Sequence, residues 1–170
     1  MLISYKGITP NVHPSVYIAE GAKIIGDVVI EKDASVWFNT VIRGDVNYIR
    51  IGERTNIQDN CTLHVRHEKY PLILGKNITV GHGAILHACM IKENCLIGMG
   101  ATILDDAQIG PFCLIAAGAV VKEHQIIAEG MLVAGVPAKV IRPLNNEEKQ
   151  MLIQSAENYV QYVHSYRESF

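Results

Sequence analysis

The stretch Leu63 to Cys89 reads LHVRHEKYPLILGKNITVGHGAILHAC and holds His64, His82 and His87, with His67 three places after the first of them. Brought together by a fold, three neutral imidazoles bind a transition metal and leave one position open, the pattern of catalytic rather than structural zinc. Imidazole also suits iron(II), cobalt(II) and nickel(II), so the donor type selects a group of metals rather than one. Taken singly, each histidine is an ordinary solvated side chain. The chemistry depends on the elements that carry them.

Those elements keep a six-residue beat. An aliphatic residue leads each hexad at Val12, Ile18, Ile24, Ile30, Val36 and Ile42, then at Ile51, Ile57 and Leu63, then at Leu74, Val80 and Leu86. A last run goes from Ile91 in steps of six to Val133. Four places after most leaders stands a small or β-branched residue, such as Ala34, Thr40, Cys61, Ala84, Cys95, Ala101 or Cys113. So persistent a period predicts a solenoid, and a hexapeptide period predicts a parallel β-helix. The leader points inward from a short strand, the small residue fits the inside of the next bend, and the residue after the leader points out. Glycines at Gly52, Gly75, Gly81, Gly98 and Gly110 are expected where a bend needs permissive backbone.

The beat slips by three residues between Ile42 and Ile51, slips by five between Leu63 and Leu74, and loses one residue between Leu86 and Ile91. The second slip predicts a polar loop from Val65 to Pro71, and loops that interrupt a regular solenoid are where function collects. Residues 1–143 are thus expected to form the β-helix, with residues up to Asn11 as its lead-in. Pro137 and Pro143 close it, and residues 144–170 are expected to form a helix capped by Asn145 or Asn146, with Glu147 and Glu148 in its first turn. Leu152, Ala156, Tyr159, Val163 and Tyr166 recur at helical spacing, one apolar stripe to pack on the solenoid or on a neighbouring subunit.

With 170 residues there is room for one core of ordinary size. Hydrophobic residues make up 49% but aromatics only 6%, which suits stacked Ile, Val and Ala. A formal net charge of −2 gives no electrostatic case for nucleic acid or an anionic membrane surface. No apolar run approaches the roughly 20 residues needed to span a bilayer, and the opening MLISYKG lacks the basic and apolar regions of a signal peptide. A cytoplasmic location is expected, and with it reduced cysteines. Cys95 and Cys113, 18 residues apart, can stack in neighbouring coils at a spacing where a disulfide is geometrically possible, with reduced buried thiols the expected state.

RGD at Arg43 to Asp45, NIQDN at Asn56 to Asn60, Leu63–His64, and VGHGAILH at Val80 to His87 together resemble the motif set of the γ-class carbonic anhydrases. The resemblance spans nearly the whole chain. The hexads alone are shared with many acyltransferases; the three histidines combined with RGD and NIQD are far more specific. The resemblance implies an all-β solenoid, a left-handed parallel β-helix of three hexads per coil with a C-terminal α-helix, although parallel crossovers in general favour the right hand. It implies a homotrimer with a metal, Zn2+ or alternatively Fe2+ or Co2+, bound at each subunit interface by His64, His82 and His87, and CO2 and bicarbonate as substrates. It implies that Gln58 orients the attacking hydroxide and that Asp59 is an outer carboxylate. Arg43 and Asp45 would form an ion pair that holds protomers together and faces the site. Tyr159 reaches toward the site from the helix or simply packs. The loop VRHEKYP is shorter than the acidic insertion of the best-studied members, so proton transfer falls to His67 or Glu68 or directly to solvent.

Three hexads per coil test the register. With each loop treated as an insertion, Ile42, Leu63 and Leu86 fall in one column, and Arg43, His64 and His87 follow them outward at about 4.8 Å per coil. On the adjacent face Ile57 and Val80 stack, which sets Asp59 beside His82. His82 therefore lies on a different face from the other two histidines, and a threefold axis can bring the two faces of neighbouring subunits together. Two other functions compete: a hexapeptide acyltransferase using acetyl-CoA, favoured by VAGVPAKVIR near the end of the repeats, and a non-catalytic metal-binding trimer that serves assembly.

Overall fold

Aliphatic leaders stack into three columns in the computed structural model, which describes residues 1–169. The first column runs Ile24, Ile42, Leu63, Leu86, Ile103 and Val121. The second runs Val12, Ile30, Ile51, Leu74, Ile91, Ile109 and Ile127. The third runs Ile18, Val36, Ile57, Val80, Ile97, Ile115 and Val133. All these pairings are parallel, so the hexads wind into a three-faced parallel β-helix. Apart from Val12 and Ile18 at the open N-terminal end, no column residue is more than 2% exposed. Each such side chain contributes on the order of 1.5–3 kcal/mol by leaving water, before conformational entropy is set against it. The core is one continuous rod.

The turns use a chemistry that the hexad pattern leaves in the background. The third residue after the leader adopts a left-handed backbone at Asp33, Asn39, Arg54, Asn60, Asn77, Asn94 and Asp106, with glycine at Gly83, Gly100 and Gly118. Asn and Asp tolerate this region better than other side chains because their short polar groups bond locally. The glycines expected to serve bends do something else. Gly98 is not left-handed; a Cβ there would stand 2.4 Å from the amide nitrogen of Ala117 in the next coil. Gly52, Gly75, Gly81 and Gly110 meet the same obstacle, so these positions are glycine because successive coils touch there.

The three-residue slip before Ile51 makes no loop. The strand Val41–Ile51 carries both Ile42 and Ile51 and joins the first two faces, paired along the equally continuous Lys23–Ile30 with a bulge between Gly26 and Val28. The five-residue slip does open the expected loop after His64, and its tip, His67 and Glu68, is solvated.

At the far end Met131–Ala134 pairs antiparallel with Lys139–Pro143 across a cis Val136–Pro137 bond, and the parallel ladder stops. The helix α1, Asn146–Ser169, follows. Asn145 is its cap: the Glu148 amide donates to Asn145 Oδ1 at 2.8 Å, and the Asn145 amide donates to Glu148 Oε2 at 2.9 Å, a reciprocal capping box. Its stripe of Leu152, Ala156 and Val163 is buried against the third face. Trp37 anchors the contact, with Tyr159 and Tyr166 edge-on at centroid distances of 5.4 and 5.0 Å. Arg54 pairs with Glu157, and Thr79 Oγ1 lies 3.0 Å from Ser155 Oγ. No described helix is long and apolar enough to cross a membrane. All four cysteines are free and buried, and Cys113 stacks on Cys95, its amide donating to the Cys95 sulfur at 3.4 Å.

Candidate metal centre

Register carries the side chains outward from the first column as column counting predicts: Arg43 pairs with His64, and His64 with His87. On this ladder the two imidazoles face each other, His64 Nδ1 lying 3.1 Å from His87 Nε2. Their far nitrogens each meet a carboxylate. His64 Nε2 lies 3.0 Å from Asp45 Oδ1, and His87 Nδ1 bonds Asp105. Each carboxylate is closed by a guanidinium, Arg43 on Asp45 and Arg66 on Asp105, the second at 2.8 Å. The result is a nearly symmetric series, Arg43–Asp45–His64–His87–Asp105–Arg66, laid across successive coils.

The charges follow from this order. Burial would raise the Asp45 pKa, but hydrogen bonds from His64 and Arg43 and the Arg43 charge outweigh it and hold the carboxyl below its usual range. Asp105 behaves alike: burial opposes ionisation, while hydrogen bonds from His87 and Arg66 win and lower it. For His64 burial is the largest influence and lowers the pKa against the pull of Asp45, favouring a neutral ring. A neutral imidazole has one N–H. With His64 donating to Asp45, its Nδ1 carries a lone pair that faces His87 Nε2 across 3.1 Å. Two nitrogens on one tetrahedral zinc with bonds of about 2.0–2.1 Å stand roughly 3.3 Å apart, close to what the ladder presents.

His82 lies where the third face turns toward the first. Its Nδ1 is 2.6 Å from Asp59 Oδ2, the adjacency that the Ile57–Val80 stacking predicts. The ring is about half exposed (47%), with Nε2 free of the carboxylate. Among the described residues of one protomer, no three His, Cys, Asp or Glu side chains converge into a metal-holding group. The three histidines nonetheless share one design, a carboxylate on one nitrogen and the other nitrogen available, which is how metal-ligating histidines are held.

Gln58 is 5% exposed and donates from Nε2 to Asn56 Oδ1 at 3.3 Å. With His82 and Tyr159 it lines a cavity of about 410 Å3 whose remaining wall includes Leu96, Met99 and Leu114. Tyr159 both packs and faces this space. Burial, with the Asp59 charge adding to it, pushes its hydroxyl up to about 12, so it stays protonated. His67 lines a separate cleft of about 340 Å3 together with Asp45 and Tyr48. Asp105 and Arg66 were not legible in the sequence. Asp105 follows His87 by 18 residues, but Leu86 pairs with Ile103, so column counting does not set the two side by side.

Residues 88–123 match the family model for the bacterial transferase hexapeptide (six repeats). Over 95% of this chain and 88% of its own length, a carbonic anhydrase of Geobacillus kaustophilus is 44% identical. The chain belongs to the γ-class carbonic anhydrase family. The mitochondrial γ carbonic anhydrase 2 of Arabidopsis thaliana is 42% identical over 89% of the chain, which spans only 56% of that relative's length. Among solved structures, a Bacillus cereus protein named for a proposed acetyltransferase activity superposes with a TM-score of 0.95 at 44% identity, over 99% of this chain and 98% of that one. The same backbone thus carries both names, and the side chains must decide between them.

Proposed function

We propose that the chain hydrates CO2 reversibly to bicarbonate at a metal held between subunits of a homotrimer, by His64 and His87 of one protomer and His82 of the next. The observation that carries this reading is the ladder of facing imidazoles, each clamped by a carboxylate, with a third histidine of the same design on another face. A bound divalent metal supplies a water whose pKa falls toward about 7, the nucleophile that CO2 requires. Zinc suits the donor set best, with iron(II) and cobalt(II) as alternatives.

The chain's own residues do the rest. Asp45, Asp59 and Asp105 keep one nitrogen of each ring protonated and the other bare. Leu96, Met99 and Leu114 give the cavity an apolar wall that receives CO2 without demanding hydrogen bonds. Gln58 Oε1 would accept from the nucleophile and orient it, and Tyr159, held protonated, would donate a hydrogen bond to an oxygen of the product. The proton left over exits along the cleft that Asp45 shares with His67, with Glu68 beside it at 3.9 Å. Arg43 keeps Asp45 ionised and on station.

Metal analysis of the purified protein, joined to stopped-flow CO2 hydration, tests the reading. Expected is about one metal per subunit, with hydration abolished by chelation and restored by zinc or iron(II). The hexapeptide-transferase match favours acyl transfer as a second reading. Acetyl-CoA raising the melting temperature of a metal-free protein would support it. Full metal with no hydration would instead mark a metal-stabilised assembly protein.

A further inference from the structure

We infer that Asp105 is a positioning residue for the metal centre: it accepts the His87 Nδ1 proton, turns Nε2 toward His64, and is itself held by Arg66. The inference rests on the reading of His87 as a ligand, and it adds a residue that none of the RGD, NIQD or histidine motifs contains. Three observations support it. Asp105 is 7% exposed, in a solenoid whose other charged residues are mostly solvated. Both its oxygens are committed, Oδ1 to His87 and Oδ2 to Arg66 at 2.8 Å. It is the counterpart of Asp45 at the opposite end of the ladder, so removing either leaves one imidazole free to rotate about its χ2 angle.

Arg66 extends the role to the loop after His64. Its guanidinium reaches Asp105 while its carbonyl accepts a hydrogen bond from Asn47 Nδ2 at 3.1 Å. The two contacts tie the loop that follows one ligand to the carboxylate that orients the other. An outer partner of this kind typically changes metal affinity by about 10–100-fold when removed.

Two near-isosteres separate orientation from packing. Asp105→Asn keeps an oxygen that accepts from Nδ1, and Asp105→Leu keeps the shape but accepts nothing. Zinc affinity of the full-length protein, read by competition with a chromophoric chelator, is expected to fall about 10–100-fold in Asp105→Leu and to recover most of that loss in Asp105→Asn. Asp105→Ala replaces the leucine variant if that one does not fold. Wild-type affinity in Asp105→Leu, or equal losses in both variants, would overturn the inference, and Arg66→Leu, which keeps the acceptor for His87, is expected to lose less zinc affinity than Asp105→Leu. His87→Ala, measured alongside, separates the two levels. If it loses zinc while Asp105→Leu does not, the positioning role alone fails. If it keeps zinc, the metal reading fails and the positioning role falls with it.

Discussion

His64→Ala and His87→Ala are each expected to abolish stoichiometric metal and with it CO2 hydration, while the β-helix stays folded. A first-layer donor is removed outright, so the loss should exceed the roughly 10–100-fold typical of an outer partner. The fold should survive, because the columns beneath are complete without the rings. Leu63 and Leu86 are fully buried on the inner side of the same strands, and the histidines project from the outer side. Neither change strands a charge: Asp45 retains Arg43, and Asp105 retains Arg66. Both rings are partly buried, and losing their hydrogen bonds is expected to cost on the order of 1 kcal/mol, too little to unfold the rod. Metal content by elemental analysis and circular dichroism on the same metal-free samples check both halves. Global unfolding of either variant would make the histidines structural.

Gln58→Ala should leave metal stoichiometry intact and lower hydration by roughly 10–100-fold. The amide is held from behind: Gln58 Nε2 donates to Asn56, Asn56 Nδ2 donates to Thr79 Oγ1 at 3.0 Å, and Thr79 Oγ1 meets Ser155 of α1. That chain leaves Oε1 to accept from whatever occupies the cavity shared with His82. An acceptor there would fix the O–H of the proposed nucleophile and aim its lone pair at CO2, a gain in orientation rather than in binding. If Gln58 only fills space under α1, the variant will lose thermal stability and keep its rate per bound metal. Unchanged hydration at full metal occupancy would exclude the orienting role.

Much of this was legible because a solenoid turns counting into geometry. Once the hexads are aligned, Arg43, His64 and His87 must share a ladder and Asp59 must adjoin His82, since each coil adds one strand spacing and no long-range packing intervenes. The helix cap was legible to within one residue for a different reason: Asn145 or Asn146 followed by Glu147 and Glu148 has a local meaning wherever it occurs, while the reciprocal box with Glu148 came from the structure. Asp105 was not. The coil that begins at Leu86 is one residue short, so Ile103 pairs with Leu86 and simple counting sets Leu104, not Asp105, above His87. A carboxylate displaced by one place to a corner is invisible to a column argument. The glycines misled because close approach and left-handed backbone both select Gly, and only the coil-to-coil distance at Gly98 separates the two causes. Trp37 and Tyr166 meet only through the path that α1 takes back along the third face, which no period encodes.

Two protomers are proposed to build each metal site, which mixing differently mutated subunits can test. His82→Ala and His87→Ala proteins, each metal-free alone, can be unfolded together and reassembled. An interface that takes His64 and His87 from the first variant and His82 from the second is intact. Random assortment makes about one interface in four intact in a closed ring of three, so roughly a quarter of the wild-type zinc and CO2 hydration should return. Mixtures that stay as metal-free and inactive as their parents, in trimers shown by an affinity tag carried on only one variant to contain both chains, would contradict the shared site.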